Sequence, residues 1–251
     1  MAEICGWIEP NWPAPPGIRA LTTIRPGGYS QQPFDGLNMG DHVGDDPTAV
    51  KRNRQLLYQS LNLPSAPVWL NQVHSTQVIE VGVVPEGWEA DALFSSAPDQ
   101  ACAVLTADCL PLLLCTRAGD RVAAVHAGWR GLAAGVIEAT LDRLAVPGDE
   151  VMAWLGPAIG PACFEVGAEV RAAFLQHDPE AESAFKANRP GHWLADIYLL
   201  ARQRLKARSV TSVWGGEYCT VTDKEQFYSY RRDGRTGRMA TLIWIDQQVE
   251  D

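Results

Sequence analysis

What most confines this chain is a set of apolar runs too short for core helices and too evenly apolar for strands with one wet face. ACAVLTA (101–107), LPLLLCT (110–116) and RVAAVHAG (121–128) follow one another closely, with VWLNQVH (68–74) and TQVIEVG (76–82) before them. Such runs, rich in Val, Leu and Ile, predict strands covered on both faces, because a half-solvated strand alternates apolar and polar residues. Helical patterns supply covering material. DDPTAVKRNRQLLYQSLNL (45–63) has aspartates to cap it, Pro47 in its first turn, and Val50, Leu57 and Leu61 at helical spacing. RGLAAGVIEATLDRLAV (130–146), GAEVRAAFLQ (167–176) and WLADIYLLARQRLKA (193–207) read as further helices. GIRALTTIR, EVMAWLG, VTSVWGG and MATLIWI read as strands. The interleaving predicts an α/β fold in which mixed β-sheets are layered with α-helices.

With 251 residues, 46% of them hydrophobic, the chain can bury a sizeable core. We expect one compact domain over residues 1–251, with residues 1–17 as an N-terminal extension stiffened by the prolines of EPNWPAPPG. No run approaches the roughly 18–20 apolar residues of a membrane span, and the first residues lack a basic and then apolar leader pattern. A cytoplasmic location follows as the expectation. Six cysteines without a CxxC pair give neither a zinc-finger spacing nor a disulfide framework, so reduced thiols are expected. A net charge of −9 argues against nucleic acid or an anionic membrane as partner and for a small-molecule substrate. The oligomeric state is not legible.

Three side chains able to ligate metal stand at the ends of predicted strands: His74 closes VWLNQVH, Cys109 precedes LPLLLCT, and His126 closes VAAVHAG. Ends of strands and the loops beyond them are where α/β proteins gather sites. Each histidine taken singly reads as a hydrogen-bonded structural residue. Together, one thiolate and two imidazoles make a first shell for catalytic zinc with the fourth position open. Without metal the same residues make a Cys–His nucleophilic pair. In HAGWRGLAAG, Gly128 and Gly131 are expected to permit a tight turn from strand to helix, whose N-terminus offers N–H groups to an anion. Arg130 sits at that turn. YRRDGRTGR (230–238) packs four arginines into one loop, either a solvated surface or an anion clamp. Cys102 and Cys115, within apolar runs, read as core thiols.

RPGGYS, GLNMG, NQVHS, TADCLPLLL, AAVHAGWRG, GPAIGPACFEVG and FYSYRRDGRTGR, in that order from Arg25 to Arg238, resemble the bacterial YfiH-type, laccase-domain or polyphenol oxidase family. The resemblance implies that His74, Cys109 and His126 are zinc ligands and the catalytic centre. It also implies three different activities: a copper-dependent polyphenol oxidase, a purine nucleoside phosphorylase with adenosine deaminase activity, and a peptidoglycan-precursor editing factor.

The residues weigh these unequally. A laccase needs a three-copper cluster rich in imidazole besides its mononuclear copper, and five histidines are too few, so copper is the alternative metal at a zinc site. Phosphorolysis of adenosine, inosine or methylthioadenosine needs an anion held in line with C1′ of the ribose, which a metal and arginines can do. Arg25, Arg130, Arg231 and Arg232 are the candidates for phosphate or sugar contacts, with Asn38, Tyr29 and Ser30 as neutral hydrogen-bonding groups. Deamination needs a proton-shuttling acid beside a metal-activated water. No HxE motif is present, and Asp91 or Glu165 would have to serve. The leading expectation is therefore a zinc-dependent purine nucleoside phosphorylase, with deamination as a second reaction. A cysteine-type hydrolase using Cys109 on a peptidoglycan precursor, and a binding module with structural zinc, are the alternatives. Cys163 reads equally as a pocket-lining and a packing residue, and Trp129 is singled out among the tryptophans for its place beside Arg130.

Overall fold

The computed structural model describes residues 3–63, 65–82 and 87–246. Residues 1–2 of the expected extension, and 64, 83–86 and 247–251 of the expected domain, lie outside the described residues. The elements in chain order are β1 (Trp7–Ile8), β2 (Ile18–Thr23), α1 (Pro47–Ser60), β3 (Val78–Glu80), β4 (Ala92–Ser95), β5 (Cys102–Thr106), β6 (Leu110–Thr116), β7 (Val122–Ala127), α2 (Trp129–Ala134), α3 (Val136–Leu144), β8 (Val151–Leu155), β9 (Glu165–Gly167), α4 (Ala168–His177), β10 (Phe185–Arg189), β11 (His192–Ala195), α5 (Ile197–Ala207), β12 (Ser212–Gly215), α6 (Tyr230–Asp233) and β13 (Met239–Ile245).

The apolar runs become the facing halves of two stacked sheets. One is six-stranded and mixed, in the order β12-β8-β6-β7-β4-β3, with parallel pairing at β12–β8 and β3–β4. The other, β1-β2-β13-β5, is antiparallel throughout. The segment expected as an extension thus supplies an edge strand. A small sheet, β10-β11-β9, packs beside α4.

Successive side chains on a strand point to opposite faces, and here that alternation sorts the core into layers. Leu110, Leu112 and Leu114 of β6 pack with Leu132, Ile137, Leu141 and Leu205 from the helices. Leu113 and Cys115, from the same strand, pack with Cys102, Val104 and Ile243 of the second sheet. The far face of that sheet, with Leu105, Leu242 and Trp244, is covered by Leu57 of α1. The layers run helix, four-stranded sheet, six-stranded sheet, helices. Every residue of β4 to β8 is buried, as continuous apolar runs require.

The structure departs from the sequence reading in three places, each with a local cause. VWLNQVH makes isolated bridges at Val68 and Asn71 rather than a strand, because the N–H groups of Val73, His74 and Ser75 are taken by the Asp91 carboxylate. The helix expected over 130–146 is broken into α2 and α3 at Gly135, whose φ of 103° only glycine adopts readily. The helix expected from Trp193 starts at Ile197, because Asp196 caps it by accepting from Leu199 N, and Trp193–Ala195 belong to β11.

Leu113 is fully buried between the sheets. Leu113→Ala is expected to lower unfolding free energy by about 2–5 kcal/mol, read as a fall in the urea midpoint at unchanged slope. A loss below about 1 kcal/mol would mean that the two sheets are not in close contact there.

Candidate metal centre and its pocket

Across the β6–β7 ladder Pro111 stands opposite His126 and Leu110 opposite Ala127. Continuing this register by one residue sets Cys109 opposite Gly128, and period-two alternation turns the Cys109 and His126 side chains to the same face. His74 arrives from the irregular segment before β3. The nitrogen and sulfur donors of His74, Cys109 and His126 all lie within 4.8 Å of one another. His74 Nε2 is 4.0 Å from Cys109 Sγ, and the two imidazole rings meet edge-on, with centroids 4.9 Å apart.

The placement of both histidines comes from Asp91, a carboxylate with no solvent exposure. It accepts from the backbone N–H groups of Val73 (3.3 Å), His74 (3.0 Å) and Ser75 (2.5 Å), from Ser75 Oγ (2.8 Å), and from His126 Nδ1 (2.8 Å). An ionised carboxylate only accepts, so His126 carries a proton on Nδ1 and keeps Nε2 as the nitrogen that can meet a metal. The same hydrogen bonds hold His74 at a φ of 61°, a left-handed conformation that a non-glycine residue keeps only when its surroundings enforce it. Gln72 pins the segment from the other side: its Nε2 donates to Leu105 O and its Oε1 accepts from Leu105 N, on β5.

Two glycines leave room for this arrangement. A Cβ on Gly128 would lie 2.8 Å from His74 Cδ2 and 3.1 Å from Cys109 Sγ, and one on Gly131 would lie 3.0 Å from Ser75 O. Gly128 has an ordinary φ of −61°. Both glycines serve close approach, and the tight-turn role expected from sequence does not apply.

Electrostatics favour a thiolate. Burial raises the Cys109 thiol, but the charge and hydrogen bond of His126, then those of His74, more than reverse this and bring it below the usual thiol range. Burial lowers His126, and the Cys109 thiolate together with Asp91 raises it well above the usual imidazole range. Both shifts favour a thiolate beside a protonated imidazole in the free protein. A divalent cation would displace the imidazolium proton and meet one anionic sulfur and two neutral nitrogens. Donors on a tetrahedral zinc sit about 3–4 Å apart, so donors within 4.8 Å of one another need only small side-chain shifts to hold one ion.

The three donors open into a cavity of about 430 Å³. Arg130, Arg231, Arg238 and His42 supply its polar wall, and Trp129 and Phe164 belong to its apolar wall. Arg130 stacks on Trp129, with Cζ 4.4 Å from the ring centroid. Arg231 Nη1 donates to the Cys163 (3.3 Å) and Glu165 (3.1 Å) carbonyls. Burial, then the charge of Arg238, holds the His42 imidazole below its ordinary value, so it is neutral near pH 7. Asp108, beside Cys109, accepts from Thr220 Oγ1 and from Arg231 N, both at 2.6 Å. It thereby fastens the arginine-bearing segment to the mouth of β6.

Of the residues expected from sequence, His74, Cys109, His126, Arg130 and Arg231 come together, while Arg25, Asn38 and Arg232 do not. Arg25 pairs with Asp35 at 2.8 Å and faces a separate surface hollow. Asn38 is fully buried, donating to Gly40 O and Asp45 and accepting from Arg238 N. Arg232 donates to the Thr220, Val221 and Phe227 carbonyls and pairs with Asp233. All three organise loops. Ser30 donates to Asp45, and the Tyr29 ring lies under the Arg52 guanidinium. Asp91 and Glu165 are not free acids: Asp91 is fully engaged, and Arg189, with Asn188, holds the half-buried Glu165 carboxyl down at about 2. Sequence reasoning passed over His42 and did not separate Arg238 from its loop. The GLNMG stretch before His42 and the TGR stretch that ends at Arg238 were visible, but it is folding that joins them, through Arg238 N to Asn38 Oδ1 and Met39 N to Arg238 O.

The family model described as "multi-copper polyphenol oxidoreductase laccase" matches residues 19–246. A Pseudomonas aeruginosa protein named a purine nucleoside phosphorylase is 57% identical over 241 residues, covering 95% of this chain and 98% of its own. An Escherichia coli protein, purine nucleoside phosphorylase YfiH, is 52% identical over 239 residues, with 95% and 98% covered. The crystal structure of a Neisseria meningitidis protein superposes with a TM-score of 0.92 at 50% identity, covering 96% of this chain and 99% of that one.

Asp91→Asn replaces an acceptor by a group that must point a donor at a donor. Metal affinity is expected to fall by about 10–100-fold, with about 1–3 kcal/mol of stability lost. Gly128→Ala is expected to lower affinity similarly by displacing His74 and Cys109. Competition titration with a chromophoric chelator measures both, and unchanged affinity in both would mean that the ion binds elsewhere.

Proposed function

Since the chain belongs to the multi-copper polyphenol oxidoreductase laccase family, with relatives named purine nucleoside phosphorylases, we propose that it is a zinc-dependent purine nucleoside phosphorylase of the cytoplasm. Its substrates are adenosine, inosine or methylthioadenosine, and phosphate. The observation that carries this reading is the meeting of a three-donor metal group, guanidinium groups and aromatic walls in one cavity.

His74, Cys109 and His126 would hold the zinc, which when bound supplies a Lewis acid for the phosphate oxygens. The chain's own residues do the rest. Arg130, Arg231 and Arg238 offer planar donor forks for the phosphate, and Trp129 and Phe164 offer flat apolar surface for the base. A phosphate oxygen forms a bond to C1′ as the bond from C1′ to the purine nitrogen breaks, and the departing purine takes up a proton. Holding the anion in line with that bond is worth several kcal/mol of barrier by orientation alone. Deamination is less well supported, because neither Asp91 nor Glu165 faces the cavity as a free acid. For copper oxidation the donor set is also short: among the described residues the His74–Cys109–His126 group is the one triad suited to a metal, against the further imidazoles of a three-copper cluster. The thiolate character of Cys109 favours one second reading, a metal-independent cysteine hydrolase acting on a peptidoglycan precursor.

Chromatography of zinc-loaded protein with adenosine and inosine is expected to show phosphate-dependent release of free base. Chelation should abolish it, added zinc restore it, and Cys109→Ala reduce it by at least about 100-fold. Base release that survives chelation, or that does not need phosphate, would overturn the proposal. Cleavage of a peptidoglycan precursor that survives chelation and is lost in Cys109→Ala would establish the second reading.

A further inference from the structure

Among the described residues three large apolar side chains stay exposed: Val73, Trp88 and Tyr230. Of these, Tyr230 alone lines the cavity of the metal centre. A single exposed tyrosine is ordinary on a protein surface. This one is set apart by its root, its neighbours and its place.

The root is rigid. Tyr228 and Ser229, just before it, have no solvent exposure. The Tyr228 hydroxyl donates to the Phe34 and Asp35 carbonyls, both at 3.1 Å, and Ser229 Oγ caps α6 by accepting from Arg232 N at 3.2 Å. Just after it, Arg231 N donates to Asp108 at 2.6 Å, and Gly234 N donates to the Tyr230 carbonyl itself at 2.8 Å. The backbone is therefore fixed on both sides of a residue that is 62% exposed. The neighbours are engaged. Trp129, Phe164 and Tyr230 are the Trp, Phe and Tyr side chains of the cavity wall. The Arg130 guanidinium lies over the Trp129 ring, with Cζ 4.4 Å from its centroid, and Phe164 is buried, with Arg231 Cζ 5.7 Å from its ring. Among the described residues Tyr230 stacks on no ring, carries no guanidinium over its face, and makes no hydrogen bond through its hydroxyl. Of the three side chains, it has the most surface left to bury.

We propose that Tyr230 is the platform on which the base of the nucleoside stacks, and so a specificity-determining residue that favours the two-ring purine. The proposal rests on the phosphorylase reading for its ligand. A flat heterocycle laid on the phenol ring removes apolar surface of both from water, and a purine removes more than a one-ring pyrimidine does. The sugar and the phosphate offer no flat face and gain nothing from this contact. Tyr230 and Arg231 are adjacent, so the bond from Arg231 N to Asp108 positions the base platform and an anion donor together. Base and anion are thereby held by neighbouring residues of one fixed segment.

The test is equilibrium dialysis of full-length, zinc-loaded wild type, Tyr230→Phe and Tyr230→Ala against inosine without phosphate and, separately, against ribose 1-phosphate, which has no base. Inosine affinity is expected to fall about 10-fold or more in Tyr230→Ala and to stay within about twofold in Tyr230→Phe, while ribose 1-phosphate binds all three alike. The urea midpoint should be the same in all three, since the exposed ring supports no packing. In turnover, the loss in Tyr230→Ala should appear in the KM for inosine rather than in kcat. Equal inosine affinity in wild type and Tyr230→Ala would overturn the proposal. So would a loss of ribose 1-phosphate affinity as large as that of inosine, or a Tyr230→Phe protein as weak as Tyr230→Ala. Wild type that binds inosine through Tyr230 but releases no base when phosphate is added would overturn the phosphorylase reading and leave the platform standing.

Discussion

The site depends on a buried carboxylate. Removing a charge from water costs several kcal/mol unless hydrogen bonds replace the lost hydration. Asp91 meets that requirement with the three successive N–H groups of 73–75, the Ser75 hydroxyl and the His126 imidazole. Its position is therefore fixed by the donors, and theirs by it. Two zinc-competent histidines from distant parts of the chain are oriented by one group that touches neither's metal-facing nitrogen. Burial alone would raise the Asp91 carboxyl, yet the bonds from His126 and Ser75 hold it below its ordinary value. It thus remains a carboxylate rather than a proton carrier.

The layers explain why a thiol and an imidazole can meet beside a hydrophobic core. β6 and β7 are covered on both faces for their whole length, so their ends are the first places where polar side chains find solvent. The antiparallel register sets Cys109 and His126 at the same end and on the same face. Segments from outside the sheet then build the cavity around them: 72–75, fastened to β5 and Asp91, and 229–238, fastened to Asp108. Glycine at 128 and 131 lets these segments come close.

The mixed sheets, the helices and the three metal-competent residues were legible because each has a local signature: continuous apolar runs, helical spacing, or a polar side chain at a strand end. What escaped was decided by distant partners. VWLNQVH has the composition of a strand, but its last N–H groups belong to Asp91. Arg25 and Arg232 look like their neighbours Arg231 and Arg238 in sequence, and only the carboxylates and carbonyls around them show that they hold loops. Asn38 carries the same lesson: a neutral polar residue in a glycine-rich motif reads as a ligand contact until its buried partners are seen. His42 has no telling neighbours in the chain and joins the cavity by folding alone.

The central claim is that one ion is shared by a single sulfur and two imidazole nitrogens. X-ray absorption at the zinc edge of the loaded protein reads that shell directly. The account predicts one Zn–S distance of about 2.3 Å together with two imidazole nitrogens at about 2.0–2.1 Å, and loss of the sulfur scatterer in Cys109→Ala. A shell of nitrogen and oxygen only, unchanged by that substitution, would show that Cys109 does not hold the metal and would contradict it.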